Sequence, residues 1–147
     1  MRDKIIRILW SDPMLVDDMI QSEESHQPGL YYITQVLHGK ERNLYIGKAS
    51  RTVRERLKDH SRGRNEWLSN RYGEKYVRLG KIIYPPNADS EVIDHAESAL
   101  IFEHGDILLD NTDKINTYSY SELYQVQNIG NRGQLKEVVR MHNHPEK

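Results

Sequence analysis

Gly29-Leu30-Tyr31-Tyr32-Ile33 and Tyr45-Ile46-Gly47-Lys48 are the two short motifs that decide the fold expected for this chain. Each motif combines β-forming residues with a glycine at its edge, so we predict one strand over about 30–36 and another over about 44–47. The polar stretch His38-Gly39-Lys40-Glu41-Arg42-Asn43 lies between them and predicts a turn. The two motifs therefore indicate a β-hairpin.

A helix is predicted directly after this hairpin, because Thr52-Val53-Arg54-Glu55 has the pattern of a capping box. We expect this helix to reach about residue 60. A third strand is predicted over 74–84, ended by two prolines, and a longer helix over about 90–104 with Asp89 or Ser90 as its N-cap. The order of elements is therefore strand, strand, helix, strand, helix.

The remaining segments are predicted to be additions to this central part. Residues 1–27 are expected to form an N-terminal helical extension, with a helix from about Asp12 to Gln21. Residues 28–117 form the main domain, and residues 118–147 form a C-terminal extension that packs on it and ends in a mobile tail. The apolar run Ile5 to Trp10 is expected to pack back on the domain or, alternatively, to pair subunits.

Composition and length are typical of one soluble globular domain. The chain has 147 residues, of which 37% are hydrophobic and 29% are charged. It contains neither an apolar run near the roughly 20 residues needed to span a bilayer nor a signal-like start, so we predict no membrane partner. The absence of cysteine excludes disulfides and thiol catalysis and agrees with a cytoplasmic location. A monomer or a homodimer is expected.

The charge of the chain is close to neutral but unevenly distributed. Between Lys48 and Arg78 there are ten basic and four acidic residues, whereas the rest of the chain has eleven basic and eighteen acidic ones. A basic stretch of this kind suits a polyanion such as a nucleic acid, although a solvated helical face with ion pairs is an alternative. The candidate nucleic-acid-binding residues of this stretch are Lys48, Arg51, Arg54, Lys58, Arg62 and Arg64.

Two helices carry side chains suited to phosphoryl chemistry. Arg56 and His60 are four residues apart and therefore share a helix face, where a guanidinium can neutralise phosphate and an imidazole can share a proton. Glu97 lies in an otherwise apolar stretch, and burial of a carboxylate is costly unless it is paired or bound to metal. Surface positions for all three, and a structural role for Tyr31, are the alternatives.

In combination these residues resemble the GIY-YIG nuclease family. The first signature is Gly29-Leu30-Tyr31, with leucine in place of the usual isoleucine, and the second is Tyr45-Ile46-Gly47. The family's arginine and histidine on the next helix match Arg56 and His60, and its metal-binding glutamate best matches Glu97. A later family asparagine matches Asn111, with Asn116 as a substitute. The resemblance covers roughly residues 29–116.

The resemblance implies an α/β (α+β) fold, with a small three-stranded antiparallel sheet flanked by helices. It further implies a divalent-metal endonuclease that leaves 5′-phosphate and 3′-hydroxyl ends on DNA. Glu97 would hold Mg²⁺ or Mn²⁺, and Tyr31 would act as the general base. Its phenolate would be favoured by Lys48, Arg56 and His60. Arg56 would stabilise the transition state, Tyr45 would orient water or phosphate, and Gly29, Gly47 and Asn111 would support the site.

The substrate is left open by the sequence. Double-stranded or branched DNA is expected as the partner, and restriction, repair and mobile-element roles all agree with the short extensions. A nucleic-acid-binding module of the same family that has lost cleavage is the competing hypothesis. A helical interaction protein is a third.

Overall fold

A computed structural model of the chain describes residues 4–62, 68, 73–104 and 124–140. The strands within these residues are β1 (Lys4–Trp10), β2 (Met14–Leu15), β3 (Gly29–Leu37), β4 (Lys40–Ala49), β5 (Glu74–Tyr84), β6 (Tyr124–Gly130) and β7 (Val138–Arg140). The helices are α1 (Val16–Gln21), α2 (Val53–Arg62) and α3 (Ser90–Glu103), and a short 3₁₀ helix over Glu23–Ser25 follows α1.

All seven strands belong to one mixed sheet. Its order is β4-β3-β5-β1-β6-β7, and β2 adds a short pairing to β5. Strands β1 and β6 run parallel, and each of the other pairs is antiparallel. The middle of the sheet is therefore formed by β5 and β1, which are far apart in sequence.

The two faces of the sheet carry separate hydrophobic cores. Successive side chains of a strand point to opposite faces. In β3, Leu30 and Tyr32 accordingly pack in the core that includes α3, while Tyr31 and Ile33 pack in the core that includes α1 and α2. All four of these side chains are buried. Strand β3 therefore contributes to both cores at once.

The predicted fold class is wrong. Strands β3, β4 and β5 do pair antiparallel, but they form one part of a seven-stranded sheet rather than a small sheet flanked by helices. The predicted N-terminal helical extension is wrong as an addition outside the sheet, because residues 4–10 form the strand between β5 and β6. Every second side chain there is buried, namely Ile6, Ile8 and Trp10. Its partner β6 lies more than a hundred residues away, which no local pattern indicates. The helix predicted up to Gln21 is present, but it begins at Val16 rather than near Asp12.

Several local predictions are confirmed. The third strand has the predicted bounds, Glu74–Tyr84. Thr52 Oγ1 accepts a hydrogen bond from the Glu55 N–H at 3.2 Å, as the capping box predicts. Asp89 accepts one from the Val92 N–H and so caps α3.

In the described part of the chain, no helix has both the length and the apolar composition needed to cross a membrane.

The centre of the sheet depends on a close contact between Trp10 of β1 and Gly80 of β5. The two residues are register partners, and a Cβ atom at Gly80 would lie 2.7 Å from the indole ring. The indole is held in place because its Nε1–H donates to Asn128 Oδ1 at 2.8 Å and its ring meets Tyr32 edge-on at 5.9 Å. Any side chain at Gly80 would have to displace this ring.

We expect Gly80→Ala to destabilise the protein by about 1–3 kcal/mol, the typical cost of overpacking a filled core. Urea unfolding measures the change. The same substitution in a Trp10→Phe background should cost less, since phenylalanine lacks the indole atoms that meet the added methyl group. An equal cost in both backgrounds would contradict this origin of the effect.

Candidate active site

Tyr31 and Tyr45 lie side by side on the face of the sheet that α2 covers. Tyr31 is paired with Gly47 across the hairpin, and Ile33 is paired with Tyr45. A Cβ atom at Gly47 would lie 2.6 Å from the Tyr31 hydroxyl oxygen and 2.7 Å from the Tyr45 ring. Because Gly47 has no side chain, the two rings can stack with their centroids 6.0 Å apart. Gly47 therefore makes the space in which the two tyrosines meet.

Helix α2 brings His60 to these tyrosines. Val53 and Leu57 are buried in the core beneath the helix, which fixes its rotation about its axis. His60 Nε2 lies 2.8 Å from the Tyr31 hydroxyl oxygen. The imidazole also meets the Tyr45 ring edge-on, with a centroid distance of 4.8 Å. His60 is itself buried.

Arg56 supplies positive charge to the same cluster. One helical turn before His60, its guanidinium interacts with the hydroxyl groups of both Tyr31 and Tyr45. It also lies 3.8 Å from Asp59, an ion pair that is largely exposed and therefore weak. The arginine is thus aimed at the place where the two phenol oxygens converge.

Glu97 contributes a buried carboxylate from α3. Its exposed fraction is 8%, and its neighbours Ala96, Leu100 and Ile101 pack in the core that contains Tyr32, on the opposite face of the sheet from Tyr31. It is close enough to both tyrosines for its negative charge to raise the pKa of each. The structure therefore brings together five of the residues predicted from the sequence, namely Tyr31, Tyr45, Arg56, His60 and Glu97.

Burial sets the protonation states of this cluster. Burial, reinforced by Tyr45, raises the pKa of Tyr31 far above its usual value, although Arg56 opposes the shift. Burial, followed by the charge of Arg56, lowers the pKa of His60 to about 4. His60 is therefore neutral at pH 7 and does not supply the positive charge expected from the sequence. When the neutral ring carries its proton on Nδ1, His60 Nε2 accepts the hydrogen bond that the Tyr31 hydroxyl group donates.

Lys48 lies outside this cluster. It pairs in register with Leu30, so it belongs to the opposite face of the sheet, and its ammonium group lies 2.7 Å from Asp94 of α3. Asp94 was not singled out from the sequence. Its position one helical turn before Glu97 is the signal that could have identified it. The ion pair joins β4 to the helix that carries Glu97.

The other predicted residues have varied surroundings. Arg51 forms an exposed ion pair with Glu55, and Arg54 donates to the Ile20 carbonyl oxygen at 3.0 Å, which joins α2 to α1. Gly29 begins β3 with φ of +144°, a conformation that favours glycine. Lys58 is partly buried on α2, and Arg62 ends that helix. Arg64, Asn111 and Asn116 lie outside the described residues.

The carboxylate of the candidate active site suits one of the two common ways in which proteins bind divalent metal ions. The described residues contain no group of three or more histidine, aspartate or glutamate side chains that could hold a metal ion. Mg²⁺, however, is commonly bound by one or two carboxylates together with waters and substrate phosphate. Glu97 fits that second mode, with Mn²⁺ as an equivalent hard cation. It does not fit a site made by protein ligands alone.

Comparisons with known proteins do not assign a function. The chain matches no family model, no curated protein and no solved structure. A function for this chain must therefore be inferred from the residues of the candidate active site.

We expect the protein to lose stability in acid because His60 is buried in its neutral form. Its pKa is about 4 in the folded state, against about 6.5 in an unfolded chain, so stability is complete above pH 6.5 and falls as the pH drops toward 4. One pKa unit corresponds to about 1.36 kcal/mol, so the loss is at most about 3 kcal/mol.

Urea unfolding at a series of pH values measures this loss. In His60→Gln the fall between pH 6.5 and pH 4 should be shallower than in the wild type. A residual slope is expected from His104, whose pKa is also lowered by burial. Identical slopes in wild type and His60→Gln would contradict the assignment.

Proposed function

We propose that this chain is a nuclease of the GIY-YIG type that hydrolyses DNA phosphodiester bonds to 5′-phosphate and 3′-hydroxyl ends. One observation carries the proposal: the Tyr31 hydroxyl lies 2.8 Å from a buried imidazole, beside a guanidinium and a buried carboxylate. A base, an anion-binding group and a metal-binding group are what phosphodiester hydrolysis requires. A cytoplasmic location is part of the proposal, since the chain has no cysteine.

The base step uses Tyr31 and His60 together. The raised pKa of Tyr31 disfavours a free phenolate before the substrate arrives. The neutral His60 nitrogen offers a proton acceptor, because Tyr31 can take a proton from the attacking water while it passes its own proton to Nε2. A bound phosphate would offset the charge of Arg56, which disfavours protonation of His60. The water oxygen forms a bond to phosphorus, and the bond from phosphorus to the 3′ oxygen breaks. The leaving 3′ oxygen takes a proton from solvent.

Arg56 and Tyr45 act on the phosphate. The guanidinium can donate two hydrogen bonds to the non-bridging oxygens, whose negative charge grows in the transition state. These oxygens would replace, in part, the tyrosine hydroxyl groups with which Arg56 interacts. Tyr45, edge-on to His60, would orient the water through its hydroxyl group.

Glu97 is the residue that would hold Mg²⁺ or Mn²⁺. The bound metal would neutralise charge on the scissile phosphate and the leaving oxygen. Burial of Glu97 keeps the carboxylate in one position, which favours binding of a hard cation that demands regular geometry.

Cleavage of supercoiled plasmid DNA in Mg²⁺ or Mn²⁺ tests the base step. We expect Tyr31→Phe to lower the rate by about 10²–10⁴-fold, the usual contribution of a positioned base. Tyr32→Phe is the matched control, because this neighbouring tyrosine faces the other core and bonds to Asn43. It should leave the rate nearly unchanged. Equal rates for wild type and Tyr31→Phe would overturn the assignment of Tyr31.

The role of Glu97 is tested separately from folding. Glu97→Gln keeps the shape of the side chain but removes its charge, so we expect cleavage to be lost in both metals while salt-dependent DNA binding persists. Nicking that survives in both Glu97→Gln and Tyr31→Phe would indicate a contaminant. DNA binding by the wild type without cleavage of plasmid, flap or junction DNA would favour the module that has lost its activity.

A further inference from the structure

Within the described residues, the helices cover only part of one sheet face. Helices α1 and α2 pack over β3, β4 and the first half of β5, on the face that carries Tyr31 and Tyr45. Beyond them, the same face continues across the end of β5, β1, β6 and β7. Among the described side chains, the register places Ile5 and eight others on this open face, namely Arg7, Leu9, Lys81, Tyr84, Gln125, Gln127, Ile129 and Val138.

Large apolar side chains of the open face are exposed to an unusual degree. Leu9 is 42% exposed, Tyr84 46%, Ile129 38% and Val138 49%. Neighbouring exposed apolar groups of this kind are typical of surfaces that bind a partner. Leu9 and Ile129 are register partners, and Tyr84 and Val138 lie at the two ends of the adjacent row formed with Arg7 and Gln127.

Polar groups on the open face form an ordered row across three strands. Arg7 Nε donates to Gln127 Oε1 at 2.8 Å, and Gln127 Nε2 donates to Gln125 Oε1 at 2.7 Å. The Arg7 guanidinium also lies 5.4 Å from the centre of the Tyr84 ring. The side chains are thus held in position, and among the described residues the Arg7 guanidinium donates one hydrogen bond, through Nε.

The cations of the open face are not neutralised by acids. Among the described residues, neither Arg7 nor Lys81 forms an ion pair, and the side chains named for the open face include no carboxylate. Leu9 separates the two cations, since it is two residues from Arg7 and is paired with Lys81. The open face therefore combines two positive charges with an aromatic ring, amides and aliphatic side chains.

This combination matches an unpaired nucleic-acid strand. Cations bind its phosphates, aromatic and aliphatic side chains stack on bases, and amides bond to base edges. A duplex hides the faces of its bases and would leave Tyr84 and Leu9 without a partner. A second copy packed through the same face would add two further cations and no carboxylate from the side chains named above.

The open face is also connected to the candidate active site. A cavity of about 270 Å³ is lined by Val53, Leu79 and Lys81 together with Leu30 and Ile82 of the opposite core. Val53 is the first residue of α2 and lies one helical turn before Arg56. The cavity therefore joins Lys81 of the open face to the start of the helix that carries Arg56.

We propose that the open face binds the unpaired strand of the substrate, so that the substrate class is DNA with a single-stranded segment beside the cleaved bond. This proposal rests on the proposed nuclease function for the cleavage itself, but binding by the open face can be measured alone. The variant Glu97→Gln without divalent metal provides a protein that does not cut its ligand.

Fluorescence anisotropy with a labelled single-stranded DNA, and with a duplex of the same sequence, measures that binding. We expect the single strand to bind more tightly than the duplex and Tyr84→Ala to weaken its binding about tenfold, a typical loss for a stacked base. Tyr84→Phe keeps the ring and should keep the affinity within about twofold. The duplex should be little affected by either change.

The salt dependence of the affinity tests the cations. The double variant Arg7→Gln/Lys81→Gln should lose two phosphate contacts. The slope of log affinity against log salt concentration should then be smaller in magnitude by about 1.4 for a single strand. Lys40→Gln removes an exposed charge from the first residue of β4, and serves as the matched control with no change in slope. Thermal unfolding of each variant verifies that the fold is intact.

Three outcomes would overturn the proposal. Unchanged single-strand affinity in Tyr84→Ala and in the double variant would exclude the open face. If these variants lose equal affinity for the single strand and for the duplex, the open face is a general surface for binding the nucleic-acid backbone. A dimer that Leu9→Gln dissociates, without a change in DNA affinity, would make it an interface between copies.

Failure of the proposed function has a different signature. Wild-type protein that binds single strands through Tyr84 but cuts no DNA would overturn the nuclease and the substrate assignment, while the binding surface would stand. If the wild type and Tyr84→Ala cut DNA at equal rates and bind single strands with equal affinity, the binding surface alone is overturned.

Discussion

The register of β3 is the constraint on which the rest of the structure depends. This strand is hydrogen-bonded on both sides and buried on both faces, so a shift by one residue would exchange Tyr31 and Tyr32 between the two cores. The exchange would turn Tyr31 toward the other core, so its hydroxyl group would no longer meet His60. Both the packing of the sheet and the geometry of the site are therefore fixed by the same set of backbone hydrogen bonds.

Two adjacent tyrosines show how surroundings decide between chemistry and structure. Each is buried near an arginine, Tyr31 near Arg56 and Tyr32 near Arg78. Burial raises the pKa of both, that of Tyr32 to about 12. The Tyr32 hydroxyl donates to the amide of Asn43, which cannot take up a proton. The Tyr31 hydroxyl meets an imidazole that can, and only this second arrangement supports proton transfer.

The sequence predicts the parts of this protein that are local. The hairpin, the strand over Glu74–Tyr84 and the cap at Asp89 depend on residues a few positions apart. The cluster around Tyr31 could also be anticipated, because a helix directly after the hairpin must cross its strands. The seven-stranded sheet could not be anticipated, because β1 pairs in parallel with β6 and no residue pattern in either strand indicates its partner. The neutral state of His60 likewise depends on burial, which spacing along a helix does not disclose.

The parallel pairing of β1 with β6 has a consequence for the order in which the chain can assemble. A ribosome releases β1 first, but the strand that completes its second edge is released more than a hundred residues later. The hairpin and α2, by contrast, form contacts over short loops and can fold early. During synthesis the apolar side chains of β1 would meet the β5 edge well before β6 can cover their other flank. A nascent chain of this protein is therefore most exposed to aggregation in the interval between those two events.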